Sequence, residues 1–228
     1  MGFTHFLFLR GRVPIETVEY LGRYALTQAD GVFKLGSDTL ALGRFATVRR
    51  GWRVCDLGCG SGALGLLLCQ RAEGLEITGV ESDPAAAALA RRNLEANGLT
   101  GTVLTGDLRD GSLLAAGGFD LAVSNPPWFR SGAGRSGGPA RCEEGCTLEE
   151  VCAAAGRLVR NGGRFALVHR PERLAQLFAA LGAAGLEPKR MRLVQHALDK
   201  PPSAVLVEAV KQGRPGLAVE PVSLQCGT

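Results

Sequence analysis

The stretch "WRVCDLGCGSGALGLLLCQRA", residues 52–72, constrains the fold more than any other part of the chain. Val54, Cys55 and Leu57 form an apolar run that reads as a buried strand, and residues 63–72 read as a helix. Between them, Gly58, Gly60 and Gly62 remove the side chains at alternate positions. Backbone freed in this way can turn tightly and come close to a ligand. Strand, glycine turn and helix in that order are the first half of a parallel crossover unit.

The alternation continues. Residues 75–81 are expected to be a strand and 82–98 a helix, with Asp83 as cap, Pro84 at its first position and Gly98 as stop. Residues 102–107 and 119–125 are further strands. After a polar, glycine-rich insertion at 128–146, Thr147 and Glu150 are spaced as a capping box that restarts a helix. A strand at 164–169 and a helix at 171–185 follow. The last strands, 189–195 and 203–210, have no room for a helix between them and must pair as an antiparallel hairpin. Upstream, we expect a short helix near 15–22, a turn, and a helix near 39–48. The outcome is an α/β fold: a Rossmann-like, seven-stranded, mostly parallel methyltransferase sheet with an antiparallel terminal hairpin at its edge. Residues 1–50 are read as a lead-in segment packing on a catalytic domain at 51–228, together a single domain.

The glycine spacing separates two ligand classes. A dinucleotide fingerprint needs glycine at position 63, where this chain has Ala63. Gly-x-Gly-x-Gly with Asp56 two residues ahead is instead the pattern of S-adenosylmethionine (SAM) sites, where an acid can approach the amino group of the ligand. Glu81 ends the second strand, where an acid can accept both ribose hydroxyls. Asp107 ends the third, placed to accept from the adenine amine with Leu108 against the ring.

The fourth strand stops on Asn125-Pro126-Pro127-Trp128. Two prolines cannot donate ladder hydrogen bonds, so the strand ends there. The Asn125 side-chain carbonyl and the Pro126 backbone carbonyl can together accept both hydrogens of one planar amine. Trp128 can stack on an unstacked base.

These stretches, with "FKLGSDTLALGRFA", "ARCEEGCTLEEV", "RLVRNGGRFALVHRPERL" and "EPKRMRLVQ", resemble the tRNA1(Val) adenine-N(6)-methyltransferase family in its Gram-positive form, over roughly residues 15–222. The resemblance implies SAM as methyl donor and, as substrate, the adenine next to the anticodon of a valine tRNA. It also implies that Lys34, Gly36 and Asp38 belong to a lead-in that closes over SAM, and it places Trp128 where the family carries tyrosine. Arg130, Arg135 and Arg141 in the insertion are candidate phosphate contacts. The other readings are protein-glutamine methylation, ribosomal RNA guanine-N(2) methylation, and a SAM-sensing or RNA-binding module without catalysis. Against glutamine methylation, only 55 residues precede Asp56, too few for the helical substrate domain of such enzymes.

Composition narrows the setting. No apolar run approaches the ~20 residues that cross a bilayer. The start, "MGFTHFLFLRGR", has neither a basic residue before its apolar patch nor a small-residue cleavage site, so no signal peptide and a cytoplasmic setting are expected. The seven cysteines are expected to be free thiols rather than disulfides or metal ligands, and no metal is expected. The net charge of +4 permits a nucleic-acid partner without requiring one.

Overall fold

The computed structural model describes residues 15–126 and 146–224. The first element is not the expected helix. Glu16–Leu21 (β1) and Tyr24–Ala29 (β2) form an antiparallel hairpin whose two-residue turn holds Gly22 at φ +56°. Ile15, Val18 and Leu21 recur every third residue and imitate a helical stripe, yet Val18 is exposed and Leu21 buried. The β2 residues Tyr24, Leu26 and Gln28, two apart and all buried, set the pairing instead.

The outer edge of β2 is covered by side chains rather than by another strand. On the helix Pro84–Ala96 (α3), Asn93 accepts from the Thr27 N–H and donates to the Thr27 carbonyl, each at 2.9 Å. Asn97, the C-cap of α3, does the same to Ala25, at 2.9 and 2.7 Å. Residues four apart on a helix share a face, so two carboxamides reproduce the hydrogen bonds of a neighbouring strand.

Ser37–Phe45 (α1) follows the hairpin. The main sheet takes Arg53–Leu57 (β3), Glu76–Glu81 (β4), Gly101–Thr105 (β5), Phe119–Ser124 (β6), Val159–His169 (β7), Leu186–Gln195 (β8) and Ala204–Lys211 (β9) in the order β8-β9-β7-β6-β3-β4-β5. The β8–β9 hairpin forms as expected, but it is not a simple edge addition. β9 slots between β7 and β8 and pairs antiparallel with both, so β8 runs with the parallel strands. Two short strands not foreseen from sequence, Ala218–Val219 (β10) and Ser223–Leu224 (β11), pair with β8.

Helices cover both faces of the sheet, as parallel strands require. On one face α1, Ala63–Cys69 (α2) and α3 bury Leu42, Phe45, Leu66, Leu68, Ala87 and Ala90. On the other, Leu148–Leu158 (α4) and Leu174–Ala183 (α5) bury Val151, Leu158, Leu177 and Leu181. The capping box of α4 is present, with Thr147 accepting from the Glu150 N–H and Glu150 from the Thr147 N–H.

The C-terminal end of α1 is fixed by a buried charge. Glu208 on β9 has no exposed surface, and it accepts from Arg164 (2.7 Å), from Arg190 (3.2 Å), and from the N–H (2.7 Å) and hydroxyl (3.0 Å) of Thr47 just past the helix. A buried carboxylate is tolerated here because two arginines and Thr47 together supply its charge partners and hydrogen bonds.

Candidate functional site

The order of strand addition reverses between the parallel neighbours β3 and β6: β4 and β5 extend the sheet to one side of β3, and β6 and β7 to the other. A crevice opens beyond the carboxyl ends of the strands at such a switch point. The glycine turn leaves β3 directly into it. Gly58, Gly60 and Gly62 take φ of +71°, +52° and +80°, values that residues with a Cβ rarely adopt. The turn is pinned to β4 because the N–H groups of Gly58 and Cys59 both donate to the Val80 carbonyl, at 2.9 and 3.2 Å. A Cβ built on Gly58 or Gly60 meets nothing within 4 Å, so the space above the turn is open.

Three acids surround this space. Glu81 accepts from the Gly60 N–H through Oε2 (2.8 Å) and from the Asp83 N–H through Oε1 (3.0 Å), so turn and strand end are one hydrogen-bonded unit. Asp56 is buried, and its Oδ2 has no hydrogen-bond partner among the described residues. Burial first, and then the neighbouring Glu81 charge, push its carboxyl up to about 7, against the pull of a hydrogen bond from the Gly65 backbone. A buried carboxylate without a partner is costly, and a cation beside it relieves that cost. Asp107 lies just past β5 and is gripped by Arg109, whose backbone N–H and side-chain Nε each donate to it at 2.9 Å, which holds its carboxyl below the ordinary range. Leu108, beside it, packs on the α4–α5 side of the core.

On the other side of the crevice, the Ser124 hydroxyl donates to the Leu57 carbonyl (2.8 Å) and ties the ends of β6 and β3 together. Asn125 comes next. Its Nδ2 donates to Thr39 Oγ1 in the first turn of α1, at 2.9 Å across 86 residues of chain. Pro126 is buried. Lys34 stands in the turn before α1 and pairs with Asp30 at 3.1 Å, both side chains exposed; Asp38 lies in the first turn of α1. Trp128, Arg130, Arg135 and Arg141 lie outside the described residues. Thr39 and Arg109 were missed from sequence. Arg109 sits two residues from Asp107 and was within reach of local reasoning, but no spacing signals Thr39.

The buried thiols of Cys55 and Cys152 are pushed up to about 12 by burial, so they are protonated and unreactive at neutral pH. His169, at the end of β7, is wholly buried, and burial lowers it to about 4. It is therefore neutral. Among the described residues, no three His, Cys, Asp or Glu side chains gather as a metal site, and no helix is long and apolar enough to cross a membrane.

The crevice fits SAM on its own terms. It offers open space over positive-φ glycines, a buried acid whose Oδ2 has no partner among the described residues and suits an ammonium, and acids at or just past the ends of the next two strands. Fold and site together define a SAM-dependent methyltransferase. Residues 25–180 match the methyltransferase small domain family. A tRNA1(Val) (adenine(37)-N6)-methyltransferase of Porphyromonas gingivalis is 32% identical over 198 residues, covering 82% of this chain and 78% of the relative. The chain belongs to the methyltransferase small domain family and to that of the tRNA1(Val) (adenine(37)-N6)-methyltransferases. Among solved structures, a predicted O-methyltransferase of Agrobacterium tumefaciens superposes with a TM-score of 0.66 at 25% identity, covering 82% of this chain and 86% of that one. The T. Thermophilus 16S rRNA N2 G1207 methyltransferase, solved with AdoMet and guanosine, superposes with a TM-score of 0.62 at 28% identity; 87% of this chain covers half of that protein.

Proposed function

We propose that this chain methylates the exocyclic amine of an adenine in tRNA, the base next to the anticodon in a valine tRNA. The observation that carries the reading is the placement of Asn125 at the carboxyl end of β6, tied through Ser124 to the strand that delivers the glycine turn. SAM, when bound, supplies a methyl group on an electrophilic sulfonium. The residues assigned to hold it are Asp56, Gly58, Gly60, Gly62, Glu81, Asp107 and Leu108, with Lys34 and Asp38 of the lead-in closing over it.

Asn125 Oδ1 and the Pro126 carbonyl accept the two hydrogens of the target amine. An aromatic amine is a poor nucleophile because its lone pair is delocalised into the ring. Holding both hydrogens out of the ring plane favours a pyramidal nitrogen with its lone pair exposed. Methylation makes that nitrogen acidic, so its proton leaves without a strong base held in advance. Trp128 stacks on the base, and Arg130, Arg135 and Arg141 contact phosphates. The names of the related enzymes support adenine over other planar amines.

The test is methylation of total tRNA from a strain lacking the gene, read by nucleoside mass spectrometry. N6-methyladenosine in the valine tRNA fraction is expected. Methyl groups found on guanine, or no methylation of the tRNA, would sink this reading.

A further inference from the structure

A carboxamide has two ends of similar size and opposite hydrogen-bonding character, and turning it over exchanges an acceptor for two donors. The role proposed for Asn125 works with one orientation only. Oδ1 must meet the amine hydrogens, since an NH₂ presented there would set donor against donor. Among the described residues, the one side-chain hydrogen bond of Asn125 runs from Nδ2 to Thr39 Oγ1, at 2.9 Å. Its other arm, Oδ1, then points away from Thr39.

Thr39 is well placed to enforce this. It is 6% exposed, and its helix is held by contacts that do not involve Asn125. Leu42 and Phe45 are buried beneath it. Gly43 lies so close to α2 that a Cβ there would stand 2.8 Å from Leu67 Cβ. Arg71 donates to the carbonyls of Gly43 and Ala46, at 2.6 Å each, and Arg190 to that of Phe45 at 2.7 Å. In the bond the structure shows, the Thr39 hydroxyl oxygen is the acceptor and Asn125 Nδ2 the donor. An acceptor on a fixed helix, aimed at Nδ2, favours one orientation of the amide.

We infer that Thr39 is a positioning residue for methyl transfer: by accepting from Nδ2 it fixes the Asn125 carboxamide with Oδ1 toward the target amine. The inference rests on the reading of Asn125 given above. It adds a residue of the lead-in segment, 86 positions upstream, to the machinery of the reaction.

Thr39→Val keeps the branched shape and removes the acceptor, whereas Thr39→Ser keeps the hydroxyl. Single-turnover transfer at saturating SAM and tRNA should slow about tenfold or more in Thr39→Val, in line with the effect of small misplacements on catalysis. Affinity for SAM and KM for tRNA should stay close to wild type, and Thr39→Ser should recover most of the rate. A second readout needs no turnover. The side-chain amide signal of Asn125 in a ¹⁵N spectrum, identified by its loss in Asn125→Ala, should be protected from exchange in wild type and Thr39→Ser and unprotected in Thr39→Val. A wild-type rate in Thr39→Val, an equal loss in Thr39→Ser, or an amide signal indifferent to the hydroxyl would each overturn the inference. If Thr39→Val does not fold, the pair Thr39→Ser and Thr39→Ala, which differ in the hydroxyl alone, carries the same comparison. Asn125→Ala measured alongside separates the two layers. If it transfers at the wild-type rate, the reading of the strand stop falls, while the amide signal still decides whether Thr39 holds the carboxamide.

Discussion

The two sides of the crevice are built differently. The side formed by β3, β4 and β5 is self-contained: each acid sits near or just past a strand end, and the polar partners of Glu81 and Asp107 lie within 21 residues of chain. Glu81 binds the N–H groups of Gly60 and Asp83, and Asp107 binds Arg109. The side beyond β6 is assembled from distant pieces. Asn125 takes its partner from α1, and α1 is held in turn by Glu208 on β9. The first side is set by local hydrogen bonds, and the second by the packing of the whole domain. A change on the first side should therefore act on cofactor affinity, and a change on the second on the rate of transfer.

The largest effect that would break this division is expected at Asn125. Asn125→Ala should slow methyl transfer by ~10²-fold or more, comparable to removing a preorganised polar group elsewhere, with SAM affinity nearly intact. An equal loss in SAM affinity, measured by calorimetry, would show that the two sides are not separable. Next comes Glu81→Ala, which should weaken SAM by ~1–3 kcal/mol, the range for leaving hydrogen bonds to a charged group unmade. Its rate at saturating SAM should stay near wild type, and unchanged affinity would remove Glu81 from the site.

A third effect sharpens the division through pH. Asp56 in the free protein keeps its proton up to about 7. Pairing with an ammonium requires the ionised form, so SAM should bind more tightly as pH rises toward 7 and weaken again above ~8, where an α-amino group loses its own proton. The slope below 7 is at most about tenfold per pH unit, one proton lost per SAM bound. The sign for stability is opposite. The unfolded chain ionises this group near its ordinary 3.8, so the free protein loses stability as pH rises from there to about 7. Titrations at several pH values should show the slope in wild type and none in Asp56→Asn; an equal slope in both would place the linked proton elsewhere. The smallest effect is expected at Trp128: Trp128→Tyr should retain most activity, because a flat ring remains to stack. A large loss of productive tRNA engagement in single-turnover assays would mean that ring width, and not stacking alone, shapes the pocket.

What sequence reasoning reached follows the same line. The glycine turn, Glu81, Asp107 and the Asn-Pro-Pro stop are short-range patterns, each implied by a strand end and its neighbours. The capping box at Thr147 and Glu150 is equally local, and it formed as read. The hairpin β1–β2 was misread because spacing by three mimics a helix when the covering partner is unknown, and that partner is a pair of asparagines about 70 residues downstream. Glu208 in "VEAV" looks like an acid on the outer face of a strand, and only the arrival of Arg164, Arg190 and Thr47 makes it a buried anchor. Thr39 has the same character: nothing in "GSDTLAL" indicates that its hydroxyl will meet the end of β6.

The insertion of β9 between β7 and β8 has a consequence for how the chain is made. A ribosome releases β8 before β9, yet among the long strands β8 has no neighbour except β9. Until residues 204–211 emerge, β7 ends the nascent sheet with a bare edge, and β8 trails behind it with nothing to pair. Glu208, which holds the residues just past α1, arrives in that same late strand, so that end of the helix gains this anchor near the end of synthesis. The β3–β5 half, whose strands are joined by short crossovers, can form while translation continues. Vectorial synthesis is thus expected to assemble the β3–β5 half first and the half that contains β8 and β9 last. Ribosome stalling just before β9 should leave a chain with an ordered glycine turn and an open, association-prone edge at β7.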